Sequence, residues 1–268
     1  MIQKKLTGIS IVMAFIVVVS VALTSRTKVL GTKTTIANEN VRGLVIPHHD
    51  LADELIISSI QEIAKENTYD HIFVIGPNHF FPENPLIVSG TVIQDFSIDM
   101  SFVNELNTVF NSVSVNNDIL AGEHSMIVPM KYLREAYPNA LFVPLVVSPH
   151  YTQKDLSDLT LYLSKHAPEN SLWVLGMDFA HNVTINEGLS HNEESITALS
   201  TFDYQTILRL TDTHMDSPVG ATLFLQIMEV LNAREWTTLE SSHGAIIDGV
   251  PNLNGTSYVI GTFKEDLP

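Results

Sequence analysis

The chain has no cysteine in 268 residues. Disulfides, thiolate nucleophiles and thiolate-rich zinc sites are therefore excluded, and any bound metal must be held by His, Asp, Glu or backbone oxygen. The phosphate-cradling glycine loops G-x-G-x-x-G and Walker A are also missing, as is the G-x-S-x-G elbow of serine hydrolases. Positive charge is scarce, with 14 Lys and Arg against 30 Asp and Glu. Residues 1–33 hold five basic and no acidic residues, so the remainder carries −21 against −16 for the whole chain. A domain that acidic is a poor nucleic-acid binder, and anionic lipid repels it.

One long apolar run is present. Lys4 and Lys5 precede Leu6 to Leu23, 18 residues without charge. This length lies between a signal-peptide core and a membrane span, and it reads as an N-terminal signal anchor or signal peptide over residues 1–24. The expected location of the rest is extracytoplasmic, with membrane contact through this segment only. Residues 25–40 are polar and aperiodic, which predicts a linker, and one domain is expected over 41–268.

Within that domain, "VRGLVIP", "HIFVIGP", "PLIVSG", "ALFVPLVV", "SLWVLGM" and "TSYVIGTF" are short apolar runs rich in β-branched residues. Such runs fit strands buried on both faces. Helical patterns separate them at 50–66, with Asp50 as candidate N-cap, and at about 99–110, 125–136, 152–166, 192–211 and 217–232. Strand alternating with helix predicts an α/β fold, a three-layer sandwich around a mainly parallel or mixed sheet. Ligands in such sheets bind beyond the carboxyl ends of the strands.

Histidine is plentiful, at 11 residues. His48 in "IPHHD", His79 in "GPNHF", His124 in "GEHS", His181 in "MDFAH" and His214 in "DTHMD" stand in suggestive contexts. Clustered neutral imidazoles beside carboxylates suit iron, copper, nickel or zinc. His49 reads as an ordinary polar residue, and His71, His150, His166 and His191 as surface; His243 fits either a cleft or a turn. Asp178 and His181 could face one pocket, with the carboxylate orienting the imidazole, or Asp178 could simply cap the following turn. Glu123 and His124 could likewise serve only to cap the helix after them.

Taken in order, these motifs resemble the Memo family, the B component of the AmmeMemoRadiSam grouping, whose fold is similar to the LigB-type class III extradiol dioxygenases. "IPHHDLADELIISSIQEIA" resembles the family's P-H-A-G-Y block, with His49, Asp50 and Leu51 in place of Ala-Gly-Tyr. "VIGPNHF" resembles G-P-S-H, and "EHSM" resembles E-H-S-I, with Ile127 where an acidic residue is usual. "GMDFAHN" resembles S-D-F-x-H, "SPVGATLFL" the helix beginning P-I-G, and "TSYVIGTF" the last strand. The resemblance implies a metal site built from His48, His79 and the position of a family cysteine a few residues before P-I-G. A gap-free count puts His214 there, with Asp212 or Asp216 as alternatives across the loop. His181, Asp178 and His124 would then line the pocket as acid–base and orienting groups. The implied function is an iron- or copper-dependent oxidoreductase, with zinc as a further candidate metal, acting on a small molecule or peptide. The alternatives are a non-enzymatic metal- or ligand-binding module and a metal-dependent hydrolase. The substitutions at 49–51 and 127 put the family's substrate in question more than its fold.

Overall fold

The computed structural model describes residues 40–80, 87–93, 95–150 and 153–265. The N-terminal apolar run and nearly all of the expected linker lie outside these residues. Among the described residues no helix is long and apolar enough to cross a membrane.

The sheet contains β1 (Val41–Ile46), β2 (His71–Pro77), β3 (Ile87–Ser89), β4 (Val113–Val115), β5 (Leu141–Val147), β6 (Ser171–Gly176), β7 (Glu235–His243) and β8 (Ser257–Lys264). Their spatial order is β4-β3-β5-β2-β6-β1-β8-β7. The central strands β5, β2, β6 and β1 run parallel, whereas β8 joins β1 and β3 joins β5 antiparallel. The sheet is mixed, with a parallel centre.

Two apolar layers explain why the strand sequences lack alternation. Along β2, Phe73 and Ile75 enter one core while Ile72 and Val74 enter the other, and β6 divides Trp173 and Leu175 from Leu172 and Val174 in the same way. Both faces of the pleat are buried, so every position is apolar although the side chains still alternate. Helices α2 (Met100–Val109), α5 (Gln153–His166), α6 (Ile185–Ser200), α7 (Tyr204–Ile207) and α8 (Pro218–Val230) cover the first face. Helices α1 (Asp53–Ala64), α3 (Asn117–Gly122) and α4 (His124–Ala136) cover the second, and a short α9 (Gly244–Ile247) follows β7. The result is an α/β/α sandwich.

Some boundaries differ from the sequence reading. The helix expected over 192–211 starts at Ile185 and stops at Ser200. Its start carries a full capping box, in which Thr184 accepts from the Glu187 N–H and the Glu187 carboxylate accepts from the Thr184 N–H. Phe202 at φ 56° ends the helix, and α7 is a separate turn. Asp50 does not cap the first helix; His49 Nδ1 accepts from the Leu51 N–H instead, and Asp50 accepts from the Tyr132 hydroxyl at 2.8 Å. The edge strand β7 was not expected, because its residues are polar and half exposed.

At the centre, Trp173 stacks on Phe73 with ring centroids 4.1 Å apart, and Trp173 is 1% exposed. Trp173→Ala should cost about 3–5 kcal/mol, because it leaves a large cavity between rigid layers. The expected readout is a lower urea midpoint at unchanged slope. A loss below about 1 kcal/mol would contradict this packing.

Candidate metal centre

The carboxyl ends of three neighbouring strands, β2, β6 and β1, carry the chemistry. Each strand gives way to a turn at or next to a proline or glycine. Pro47 follows β1 and Pro77 closes β2, so the chain turns out of the sheet just before His48 and His79. Gly176 ends β6, just before Met177 and Asp178.

Helix α4 brings its first turn onto these ends. A Cβ on Gly76 would lie 2.9 Å from Ser125 Oγ, and one on Gly176 would lie 2.8 Å from the Ser125 carbonyl oxygen. Only glycine lets the helix start approach that closely. Ser125 Oγ donates to the Pro77 carbonyl at 2.8 Å, locking the approach. Glu123, fully buried, caps the helix by accepting from the Ser125 N–H, and it also accepts from the His79 N–H at 3.0 Å. His79 Nδ1 lies 2.8 Å from the same carboxylate, which directs Nε2 the other way. Capping and site-building are one function here.

His48 is 2% exposed. Its backbone N–H donates to Asp178 Oδ1 at 3.1 Å, its Nδ1 lies 3.3 Å from the Gly176 carbonyl, and its Nε2 lies 3.2 Å from Asp216 Oδ2. Asp216 Oδ2 is also 3.7 Å from His79 Nε2. Both Asp216 carboxylate oxygens are buried without a hydrogen bond of good geometry. The rings of His48, His79 and His124 pack with centroids 4.2–5.0 Å apart, and each offers a ligand nitrogen within 4.8 Å of the others.

The electrostatics follow from this crowding. Burial alone would lower the pKa of His48, but the Asp216 and Asp178 carboxylates outweigh it and raise it to about 9. For His79 burial is likewise overcome, here by Asp216 and Glu123, and its pKa is also raised to about 9. His124 moves down, through burial and the neighbouring positive charge of His79 and His48. Against the cost of its burial, Asp216 is held in the charged form mainly by His48.

A cavity of about 570 Å³ opens beside this cluster, its wall including His79, Asp216, Asn78, His181 and Asp212. The loop that carries His181 is pinned by Ser257, which accepts from the Phe179 N–H through its carbonyl and from the Ala180 N–H through its hydroxyl. The Asp178 carboxylate is engaged by His48, whereas the buried Nδ1 of His181 has no hydrogen-bond partner among the described residues. Asp178 therefore positions His48 rather than the imidazole three residues on.

His214 is not brought to this cluster. Met215 is fully buried, and the chain on either side of it turns apart: Asp216 reaches His48, while His214 Nε2 lies 3.2 Å from Glu194 and its ring stacks on His191. The gap-free count fails because the tight turn at Thr211, which accepts from both the His214 and Met215 N–H groups, sets the direction of each side chain. Asp216, one of the two alternatives, is the residue of this loop that faces His48 and His79. His243 is structural, with Nδ1 accepting from the Ala245 N–H and Nε2 lying 3.2 Å from the Val183 carbonyl. Among the described residues, positions 49–51 and 127 do not line the cavity, and Ile127 packs against an apolar core.

A family model described as Memo-like protein matches residues 20–250. The chain belongs to the Memo-like family. A MEMO1 family protein of Aquifex aeolicus (strain VF5) is 27% identical to this Memo-like chain over 220 residues, which is 74% of the chain and 58% of that relative. The chain thus spans a little over half the length of this curated relative. The crystal structure of an uncharacterized protein from Escherichia coli K12 matches with a TM-score of 0.54 at 14% identity, covering 82% of this chain and 99% of that one. That likeness concerns the fold of the Memo-like chain. The cluster's donor chemistry, imidazole nitrogens beside a buried carboxylate with unsatisfied oxygens, fits a divalent metal ion.

The raised histidines set a pH dependence for the metal-free Memo-like protein. A folded-state pKa near 9 against an ordinary value of 6.5 gives stability that is full below about pH 6.5 and is lost as pH rises through 9. The unfolding temperature should therefore fall between pH 7 and pH 9.5, and His79→Gln should flatten that fall. A profile that is level for the unaltered chain would refute the arrangement of charges described here.

Proposed function

We propose that this Memo-like protein is a metal-dependent oxidoreductase related to the extradiol dioxygenases, in which His48, His79 and Asp216 hold an iron ion. The carrying observation is that the buried Asp216 brings one carboxylate oxygen to 3.2 Å from His48 Nε2 and 3.7 Å from His79 Nε2, with neither oxygen in a hydrogen bond of good geometry, beside an open cavity. Two imidazoles and one carboxylate with open positions suit non-haem Fe(II), and copper or zinc can use the same donors. Bound there, the ion supplies the redox chemistry.

The chain's own residues supply the rest. Glu123 and the Gly176 carbonyl fix the ring orientations of His79 and His48, and Asp178 holds the His48 backbone. Burial lowers the pKa of His124 and favours its neutral form, in which it can accept a proton from a bound substrate. His181 lines the cavity wall, where its imidazole would meet a polar group of the ligand. The cavity volume suits a small aromatic molecule or the end of a peptide. The acidic charge of residues 34–268 argues against a nucleic-acid substrate. Lack of cysteine and the Leu6–Leu23 run fit a domain outside the cytoplasm.

The protein, purified without a histidine tag and loaded with Fe(II), should retain iron and consume oxygen with catechol-like substrates. Iron should be lost in His48→Ala and Asp216→Asn, and kept in His214→Ala. If His214→Ala releases iron as fully as Asp216→Asn does, the third ligand is wrongly assigned. If neither iron nor copper is retained by the unaltered chain, the oxidoreductase reading fails.

Glu123→Gln should weaken iron binding by about 10–100-fold while the fold survives, because it removes the charge that orients His79. Unchanged affinity would show that Glu123 only caps the helix.

A further inference from the structure

A second group of ligating side chains lies on the other side of the Asp216 loop. His191 and Glu194 are one turn apart on α6 and share a face. His214 approaches them from the loop before α8, its Nε2 3.2 Å from Glu194 Oε2 and its ring stacked on His191 at 4.2 Å and 21°. Ligand nitrogens of both rings and a Glu194 oxygen lie within 4.8 Å of one another. Thr213 Oγ1 sits 3.0 Å from His214 Nδ1, fixing that ring with Nε2 towards the carboxylate.

An ordinary surface ion pair between His214 and Glu194 would explain one ring only. It leaves His191 Nδ1 buried with no hydrogen-bond partner among the described residues, although a ligand atom of that ring lies within 4.8 Å of those of Glu194 and His214. A divalent cation would engage both rings and the carboxylate together once the stacked rings turn so that their in-plane lone pairs converge. Glu194 is 61% exposed and His214 20%, so an ion can reach the group and keep a water ligand. Two imidazoles, one carboxylate and a water make a tetrahedral set of the zinc type.

We propose that His191, Glu194 and His214 form a second divalent metal site, of zinc type, that ties α6 to the loop carrying Asp216. The tie has a clear mechanical route. Ser195 Oγ already donates to the His214 carbonyl, the His181 N–H donates to the Asp212 carbonyl, and Asp212, Thr213 and Asp216 line the cavity. An ion on His214 would therefore steady one wall of the cavity from outside, two residues away from Asp216.

The test uses the full chain carrying His48→Ala and His79→Ala, which removes the first cluster, titrated with Zn²⁺ against a chromophoric chelator. One zinc per chain is expected, with binding at least tenfold weaker after His191→Ala or His214→Ala and about tenfold weaker after Glu194→Gln. Amide exchange over residues 211–216 should slow when zinc is added. No binding in the double variant, or binding indifferent to His214→Ala, would overturn the site; unchanged exchange on zinc binding would overturn the tie. Should the double variant not fold, the unaltered chain is compared with Glu194→Gln, a change to an exposed side chain: a roughly tenfold weakening of one of its zinc equivalents supports the site, and unchanged affinity of every equivalent refutes it. Because these outcomes do not depend on iron at the first cluster, either proposal can fail alone.

Discussion

Asp178 after β6, Asp216 on the loop before α8 and Glu123 at the cap of α4 are carboxylates withdrawn from water, their side chains 3%, 8% and 0% exposed. Charge in such a place is costly unless it is paired or ligating. The rest of the site can be read as the answer to that cost. His48 is held by Asp178 and faces Asp216, His79 is clamped by Glu123, and the glycines at 76 and 176 let helix α4 come close enough to deliver the clamp. Without metal the compensating positive charge must come from protons, which is why two histidines rise to about 9. A divalent ion would supply it in their place, releasing those protons.

The scaffold makes this concentration of charge sustainable. Both faces of the sheet are sealed by apolar layers, so the strands are rigid and their ends are fixed in relation to one another. The turns leaving β1 and β2 are stiffened by a proline at each exit, and the one leaving β6 is held by the close packing of α4 on Gly176. The Asp216 loop is anchored differently, through the buried Met215, the Asp216 N–H to the Asp178 carbonyl and the start of α8 at Pro218. It is the element of the site least supported by the sheet, and the one whose outer side carries His214.

Much of the site was legible because ligand chemistry sits where strands end. His48, His79 and the Asp178 stretch could be found from an apolar run followed by a breaker and a polar residue. Glu123 was visible only as a cap; its second role needs the contact across 44 residues to His79. His191 read as an ordinary surface residue, since nothing in "LSHNEES" signals a partner 23 positions away in the chain. The start of α6 was missed although Thr184 and Glu187 spell a capping box, and β7 was missed because an edge strand buries too little to show a pattern.

The sequence by itself determined the α/β class, the alternation of strands and helices along the chain, the restriction to imidazole and carboxylate ligands, and the placing of histidines at strand exits. These follow from local rules of composition, hydrophobic runs and chain breakers, each readable within a few residues. Only the tertiary structure decided which groups meet. It chose Asp216 over His214 beside His48, because a single turn at Thr211 and a buried Met215 send neighbouring side chains to opposite sides of a loop. It also gave Asp178 to His48 and stacked His214 on His191, since contacts across 130 and 23 residues are fixed by packing and not by spacing.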